Sequence, residues 1–255
     1  MTELPWGDAQ QDVLDILAVD PVDVADVVDM LTKLEDPLRR ATPDDPENPV
    51  VAFNRLYRVI TTEILARLEA GAFADREFLT LLDVEFAKRY FDAMLRWGVG
   101  AKDTPEAWAV LFRRLHDVEV RSLPAAATGV NAHVHYDLPF ALLATWRKLG
   151  SGPTNRRQRQ DYLQINEVFY EEIPDLRRSF LVTWQLTIDR ANGRFDDWYE
   201  DRLVKVWRDV AWRDARRLWA LREDARLLDR ARAVLDHHTA LIGYLLLSPV
   251  CSFIQ

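Results

Sequence analysis

The chain has 255 residues, 49% of them apolar, and a net charge of −8. That composition excludes a disordered chain and supplies a core large enough to fold without a disulfide or metal staple. A lone cysteine, Cys251, excludes an intrachain disulfide and fits a reducing compartment, so a cytoplasmic location is expected.

The acidity is local. Residues 1–50 hold 13 Asp/Glu against 3 Lys/Arg, and the remainder is close to neutral. An acidic chain argues against nucleic acid as a partner. The arginines from Arg202 to Arg232 alternate with Asp and Glu, which reads as a salt-bridged helix surface. Residues Met1 to Asp8 lack a basic start followed by an apolar run, so no secretory signal is expected. The longest apolar stretch, Thr239 to Ile254, is broken by Pro249 and too short to span a bilayer; a buried final helix with an apolar tail is expected there.

In chain order, Asp20 to Asp23 opens a short acidic helix to about Lys33. The Pro-rich loop from Ala41 to Pro49 then separates an acidic N-terminal helical appendage, residues 1–47, from a main bundle, residues 48–255. Phe53, Leu56, Tyr57, Ile60, Ile64 and Leu68 recur at spacings of three and four, one apolar helix face ending at Gly71. Asp75 caps a second helix, with Leu79, Leu82, Phe86, Tyr90, Met94 and Trp97 as its stripe and Gly98 to Gly100 as its stop. Thr104-Pro105-Glu106 has the form of a hydroxyl cap followed by a first-turn proline, and Trp108, Leu111, Phe112 and Leu115 supply the buried side.

After Pro124, the small residues Ala125 to Gly129 let two helices approach closely. Helices are expected to about Lys148, from the 150–155 loop to Glu172 with a break at Pro174, and near 175–191, 196–221 and 222–247, with Asn192-Gly193 as a turn. Four of nine tryptophans, Trp198, Trp207, Trp212 and Trp219, share one helix, expected to be central. No window alternates with period two for long enough to demand a strand. The expected fold is all-α, one multi-helix bundle with an aromatic-rich core.

Polar groups stand out against this background. His133 and Asp137 are four apart, so on a helix they point the same way; Asn131 and His135 form a second such pair on a roughly opposite face. A His and an Asp so placed can form an oriented acid–base pair or ligate a metal. Pro139 would kink a continuous helix at the carbonyl of residue 135; the alternative is that Asp137 caps a new helix with Pro139 in its first turn. Asp83, Asn166 and His238 lie on otherwise apolar helix faces and need partners if buried. Gly-rich phosphate loops, nucleophile elbows, His-Glu-x-x-His and Cys-x-x-Cys are all missing. Cys251 reads as inert packing.

Three stretches resemble a mostly actinobacterial, functionally uncharacterised family, domain of unknown function 5995. They are Val51 to Thr62 with Gly71 to Asp75, Leu82 to Tyr90, and Gly129-Val-Asn-Ala-His-Val-His-Tyr-Asp-Leu-Pro139 with Asp161 and Asn166 downstream. The likeness covers roughly residues 48–245. The family pattern of the third stretch reads Gly-Met-Asn-Ala-His-Ile-Asn-x-Asp-Leu-Pro, so Val130 and His135 depart from it. The resemblance implies an all-helical fold and points to Asn131, His133, Asp137, Asp161 and Asn166, with no reaction attached. A weaker likeness is to zinc-dependent phospholipase C, whose His-x-x-x-Asp zinc-ligand pair His133 and Asp137 match.

The leading expectation is an enzyme acting by acid/base chemistry (cyclisation, isomerisation or elimination) on a hydrophobic small molecule, in bacterial secondary metabolism. His133 and Asp137 are its catalytic pair; Asn131, His135, Asn166, Asp83, Asp161 and His238 are candidate substrate-binding residues. One alternative is a hydrolase using a divalent metal held by His133 and Asp137. Another is a non-catalytic ligand-binding or scaffold protein.

Overall fold

The computed structural model describes residues 4–45, 47–181 and 196–248, with side chains described up to residue 168 and again from 205. Phe169, Trp198, the Asn192-Gly193 turn, most of the helix expected near 175–191, and Cys251 lie outside those residues or side chains. Every regular element among the described residues is helical.

A single 3-10 turn, Gly7–Ala9, leads into α1 (Gln10–Leu17) and α2 (Val24–Arg40). Asp23 caps α2 by accepting from Asp26 N–H. The helix runs past Lys33 because Leu34 and Leu38 extend its buried stripe. Asn48 caps α3 (Pro49–Glu69): its Oδ1 accepts from Val50 and Val51 N–H while its Nδ2 donates to Leu38 O. Asn54 Nδ2 donates to Leu31 O and ties α3 to α2. Trp6, Val13, Leu31 and Leu38 share one buried cluster with Phe53, Tyr90, Trp108 and Phe112.

Asp75 caps α4 (Arg76–Gly98), as its position predicts, by accepting from Phe78 N–H. Thr104 does not cap α5 (Glu106–Phe112): its hydroxyl donates to Ala101 O instead. The first two N–H groups of α5 donate to the carboxylate of Asp236, from the last helix. A distant acid thus supplies both the hydrogen bonds and the charge that the helix start needs.

Next, α6 (Ser122–Asn131), a π-helical segment (Ala132–Asp137) and α7 (Leu138–Leu149) form one unbroken rod. Gly129 permits its close approach to α3; a Cβ there would lie 2.3 Å from the Phe53 ring. Gly150, at φ 59°, ends α7 in the left-handed region.

The remaining helices among the described residues are α8 (Arg156–Leu181), α9 (Asp196–Ala220) and α10 (Ala225–Leu246). The expected break at Pro174 is absent; α8 continues through it, forfeiting one backbone bond. Trp212 of α9 packs edge-on to Trp146 (5.0 Å) and beside Tyr162 (4.8 Å), the centre of a second buried cluster with Phe78, Leu82 and Leu138. Arg217–Asp214 pairs within α9 as the charge pattern predicts, and Asp209 pairs instead with Arg159 of α8. Among the described residues no helix is long and apolar enough to cross a membrane.

Candidate functional site

The π-helical segment carries the site. An α-turn through residue 139 would drive the proline ring into the carbonyl of residue 135. The chain widens instead: Leu138 N–H reaches back five residues to His133 O, which gives the Pro139 ring room. Asp137 keeps helical angles (φ −75°, ψ −45°) and makes no capping bond, so it does not start a new helix. Its side chain is released for other use.

That use is to hold His133. The His133 Nδ1 lies 2.9 Å from Asp137 Oδ2, and Trp108 Nε1 donates to the same oxygen, also at 2.9 Å. An indole N–H can only donate, so Oδ2 is an acceptor, and the imidazole proton belongs on Nδ1. Both side chains are buried, His133 at 3% and Asp137 at 1% exposure. Phe86 stacks on the imidazole at 3.4 Å with an 8° interplanar angle, and Tyr57 meets its edge at 4.5 Å. Burial pushes the His133 pKa down against the opposing pull of Asp137. It pushes the Asp137 pKa up, opposed by His133, Arg89 and Trp108. The Nε2 of His133 is buried and has no hydrogen-bond partner among the described residues.

His133 lines a partly open cavity of about 60 Å³. Since one water needs roughly 10–15 Å³ by this measure, the space admits a few waters or a slender guest. Phe53, Tyr57 and Phe86 form an aromatic side; Ile60, Leu82 and Leu138 form an aliphatic one. These residues come from both buried clusters, so the cavity sits at the seam between them. Asp83 faces the same space with an exposure of 6%, and its Oδ2 also lacks a partner among the described residues. Desolvation raises its pKa to about 7. Arg208 of α9 is a further wall residue, with Nε donating to Asn166 Oδ1 (2.8 Å), Nη2 donating to Tyr162 O (2.9 Å), and the guanidinium over the Tyr162 ring at 4.3 Å.

Of the residues expected to converge, His133 and Asp83 reach the cavity, Asp137 stands behind His133, and Asn166 acts on the wall through Arg208. The others are placed elsewhere. Asn131 bridges helices, donating to Thr239 O at 2.9 Å while its Oδ1 faces His135 Nδ1 at 2.9 Å. His135, its pKa lowered to about 4 by burial, packs beside Trp207. The Asp161 carboxylate accepts from Ala74 and Asp75 N–H and fixes the turn before α4. His238 is exposed: the face of α10 that carries it, with Val234, Leu241 and Leu245, points away from the bundle.

Sequence reasoning placed Trp108, Tyr57 and Phe86 in the core without a role, and missed Arg208. The signal for Arg208 was available, because it lies three, four and seven residues before Ala211, Trp212 and Ala215, all on the buried face of α9.

The described residues do not fit a metal centre. His133 Nδ1 is committed to Asp137, and among the described residues no group of three His, Cys, Asp or Glu side chains is placed to hold an ion. The likeness to zinc phospholipase C therefore stops at the His-x-x-x-Asp spacing. No curated protein and no solved structure matches the chain. One family model does, over residues 24–249, and it begins within the acidic N-terminal segment. The chain belongs to that family, DUF5995, a family of unknown function.

Proposed function

We propose that the protein is an enzyme that moves a proton on a hydrophobic small molecule held in the cavity between the two core clusters. One observation carries this reading. His133 presents an unpartnered, buried Nε2 at an aromatic wall while Asp137 and Trp108 fix the opposite side of the ring. A base needs that arrangement: one nitrogen orients and stabilises the charge, and the other is free to take the proton. Burial keeps the imidazole unprotonated at neutral pH and so able to accept a proton, and Asp137 supports the imidazolium that forms on proton uptake. Asp83 faces the same cavity, its pKa raised by burial to about 7. The pairing suits isomerisation, elimination or cyclisation of a mostly apolar substrate, where position and one proton transfer supply much of the rate.

A small apolar carbon acid tests this without knowledge of the natural substrate. The elimination of 5-nitrobenzisoxazole needs only a positioned base and releases a coloured phenolate. The protein is expected to accelerate it, with a rate that rises as His133 loses its proton. His133→Ala should remove the acceleration and retain the far-ultraviolet dichroism of a helical protein. Equal rates in wild type and His133→Ala would overturn the proposal. If His133→Ala and Asp137→Ala merely lower the melting temperature, the cluster is structural.

A further inference from the structure

We propose that the cavity's ligand is an apolar molecule carrying a protonated amine, bound by the Asp83 carboxylate and the surrounding aromatic rings. The inference rests on the reading of the cavity as a substrate site and deepens it by naming the substrate's polar group.

The argument starts from the sign of what is unsatisfied. With Nδ1 donating to Asp137, the Nε2 of His133 is an acceptor. The Oδ2 of Asp83, once ionised, is an acceptor too, and among the described residues neither buried atom has a partner at the wall of the cavity they share. Two orphaned acceptors call for a ligand that brings donors, because a buried acceptor left unmade costs more than a typical hydrogen bond returns. A carboxylate or phosphate ligand would add acceptors where donors are needed.

Charge separates an amine from an alcohol. Among the described residues Asp83 has no ion-pair partner, and burial alone drives its pKa upward, with no cation offsetting the shift. Arg208, on the same wall, directs its Nε and Nη2 to Asn166 and the Tyr162 carbonyl of α8. Phe53, Tyr57 and Phe86 line the space, and aromatic rings attract an ammonium group most when water is excluded. An ammonium would let Asp83 ionise. His133 is then left to act on a neighbouring position of the same molecule.

Three slender probes of equal length decide the matter: n-butylammonium, n-butanol and butyrate, titrated into the full-length protein and followed by nitrogen–proton NMR. At pH 8.5 n-butylammonium should bind most tightly, n-butanol more weakly and butyrate least. Between pH 8.5 and pH 6 the affinity for n-butylammonium should fall about tenfold, as a carboxyl titrating near 7 goes from ionised to about one-tenth ionised. The other groups facing Asp83 do not mimic this: Tyr57 is held protonated by burial, burial pushes the His133 pKa below its ordinary range, and Arg208 remains a guanidinium. Asp83→Asn should bring n-butylammonium down to the affinity of n-butanol, and retained n-butanol binding shows the cavity intact. n-Butanol binding as tightly as n-butylammonium at pH 8.5, or unchanged amine affinity in Asp83→Asn, overturns the inference, as does binding of none of the three. The base reading fails separately: it falls if His133→Ala keeps the elimination rate, whatever the amine does.

Discussion

Asp83 should destabilise the protein in a pH-dependent way, and Asp83→Asn measures by how much. Its folded pKa is about 7 against a reference of 3.8, so between those values the folded chain holds a proton that the unfolded chain has released. The penalty is therefore absent below about pH 4, grows as pH rises, and is complete above about pH 7. At 1.36 kcal/mol per unit, the whole effect is about 4 kcal/mol, of which roughly 2.5 kcal/mol develops between pH 5 and pH 8. Asparagine has nearly the same shape and no charge. Whatever its amide costs is the same at both pH values, and every other titrating group is common to both proteins. Urea midpoints at pH 5 and pH 8 then give a difference of differences: the variant should gain on wild type by roughly 2.5 kcal/mol between the two. An equal offset at both pH values would refute the claim that this carboxylate is buried without compensation. A protein that keeps such a group at a cavity wall gives up stability there, as binding and catalytic sites commonly do.

Gly129→Ala sets two effects of opposite sign against each other. Helix propensity alone favours alanine by about 1 kcal/mol, but the new methyl would meet the Phe53 ring at 2.3 Å, and Phe53 is hemmed in by Tyr90 and Trp108, each at 5.1 Å. Melting should fall by several degrees, and a rise would show that the helices can part. Trp108→Phe removes one of two donors to Asp137 Oδ2, which should cost about 1–3 kcal/mol and slow the His133-dependent elimination; unchanged stability and rate would show the indole bond to be idle. Asp236→Ala strips the N–H groups at the start of α5 of their acceptor and should cost about 1 kcal/mol in urea unfolding with the elimination rate retained.

The sequence made the local geometry legible and left the long-range geometry dark. The His133–Asp137 and Asn131–His135 pairs follow from a spacing of four, and both bonds form. Asp83 could be singled out because it lies among Leu79, Leu82, Phe86 and Tyr90 on one helix face. The same logic misplaced His238, because a periodic stripe says that a face is apolar, not that anything covers it. The covered face of α10 carries Thr239, Ala240 and Gly243, a less greasy set that lets the helix lie close to α5 and α6. Trp108, which completes the Asp137 network from 29 residues away, and Asp236, which caps α5 from 130 away, leave no local trace. Partners so distant in sequence are chosen by tertiary packing alone.

Pro139 was legible as an irregularity, but neither a simple kink nor a fresh cap describes the outcome. The wide turn absorbs one extra residue while the rod continues, and it sets where His133 and Asp137 point relative to α7. Such a turn has poorer hydrogen bonding than an α-helix, so something must hold it. The proline ring forbids the tighter alternative from one side; the Asn131–Thr239 and Trp108–Asp137 bonds anchor it from the other. Pro139→Ala separates the two. Alanine restores an N–H and removes the steric bar, so a segment held open by the proline should relax toward α-helix and rotate Asp137 away from the indole. The Trp108 indole N–H resonance, deshielded by its carboxylate, should then move toward the position of an unbonded indole, and the elimination rate should fall with it. An unmoved resonance with an unchanged rate would show that the side-chain network alone shapes the turn, and that the proline merely tolerates what the network imposes.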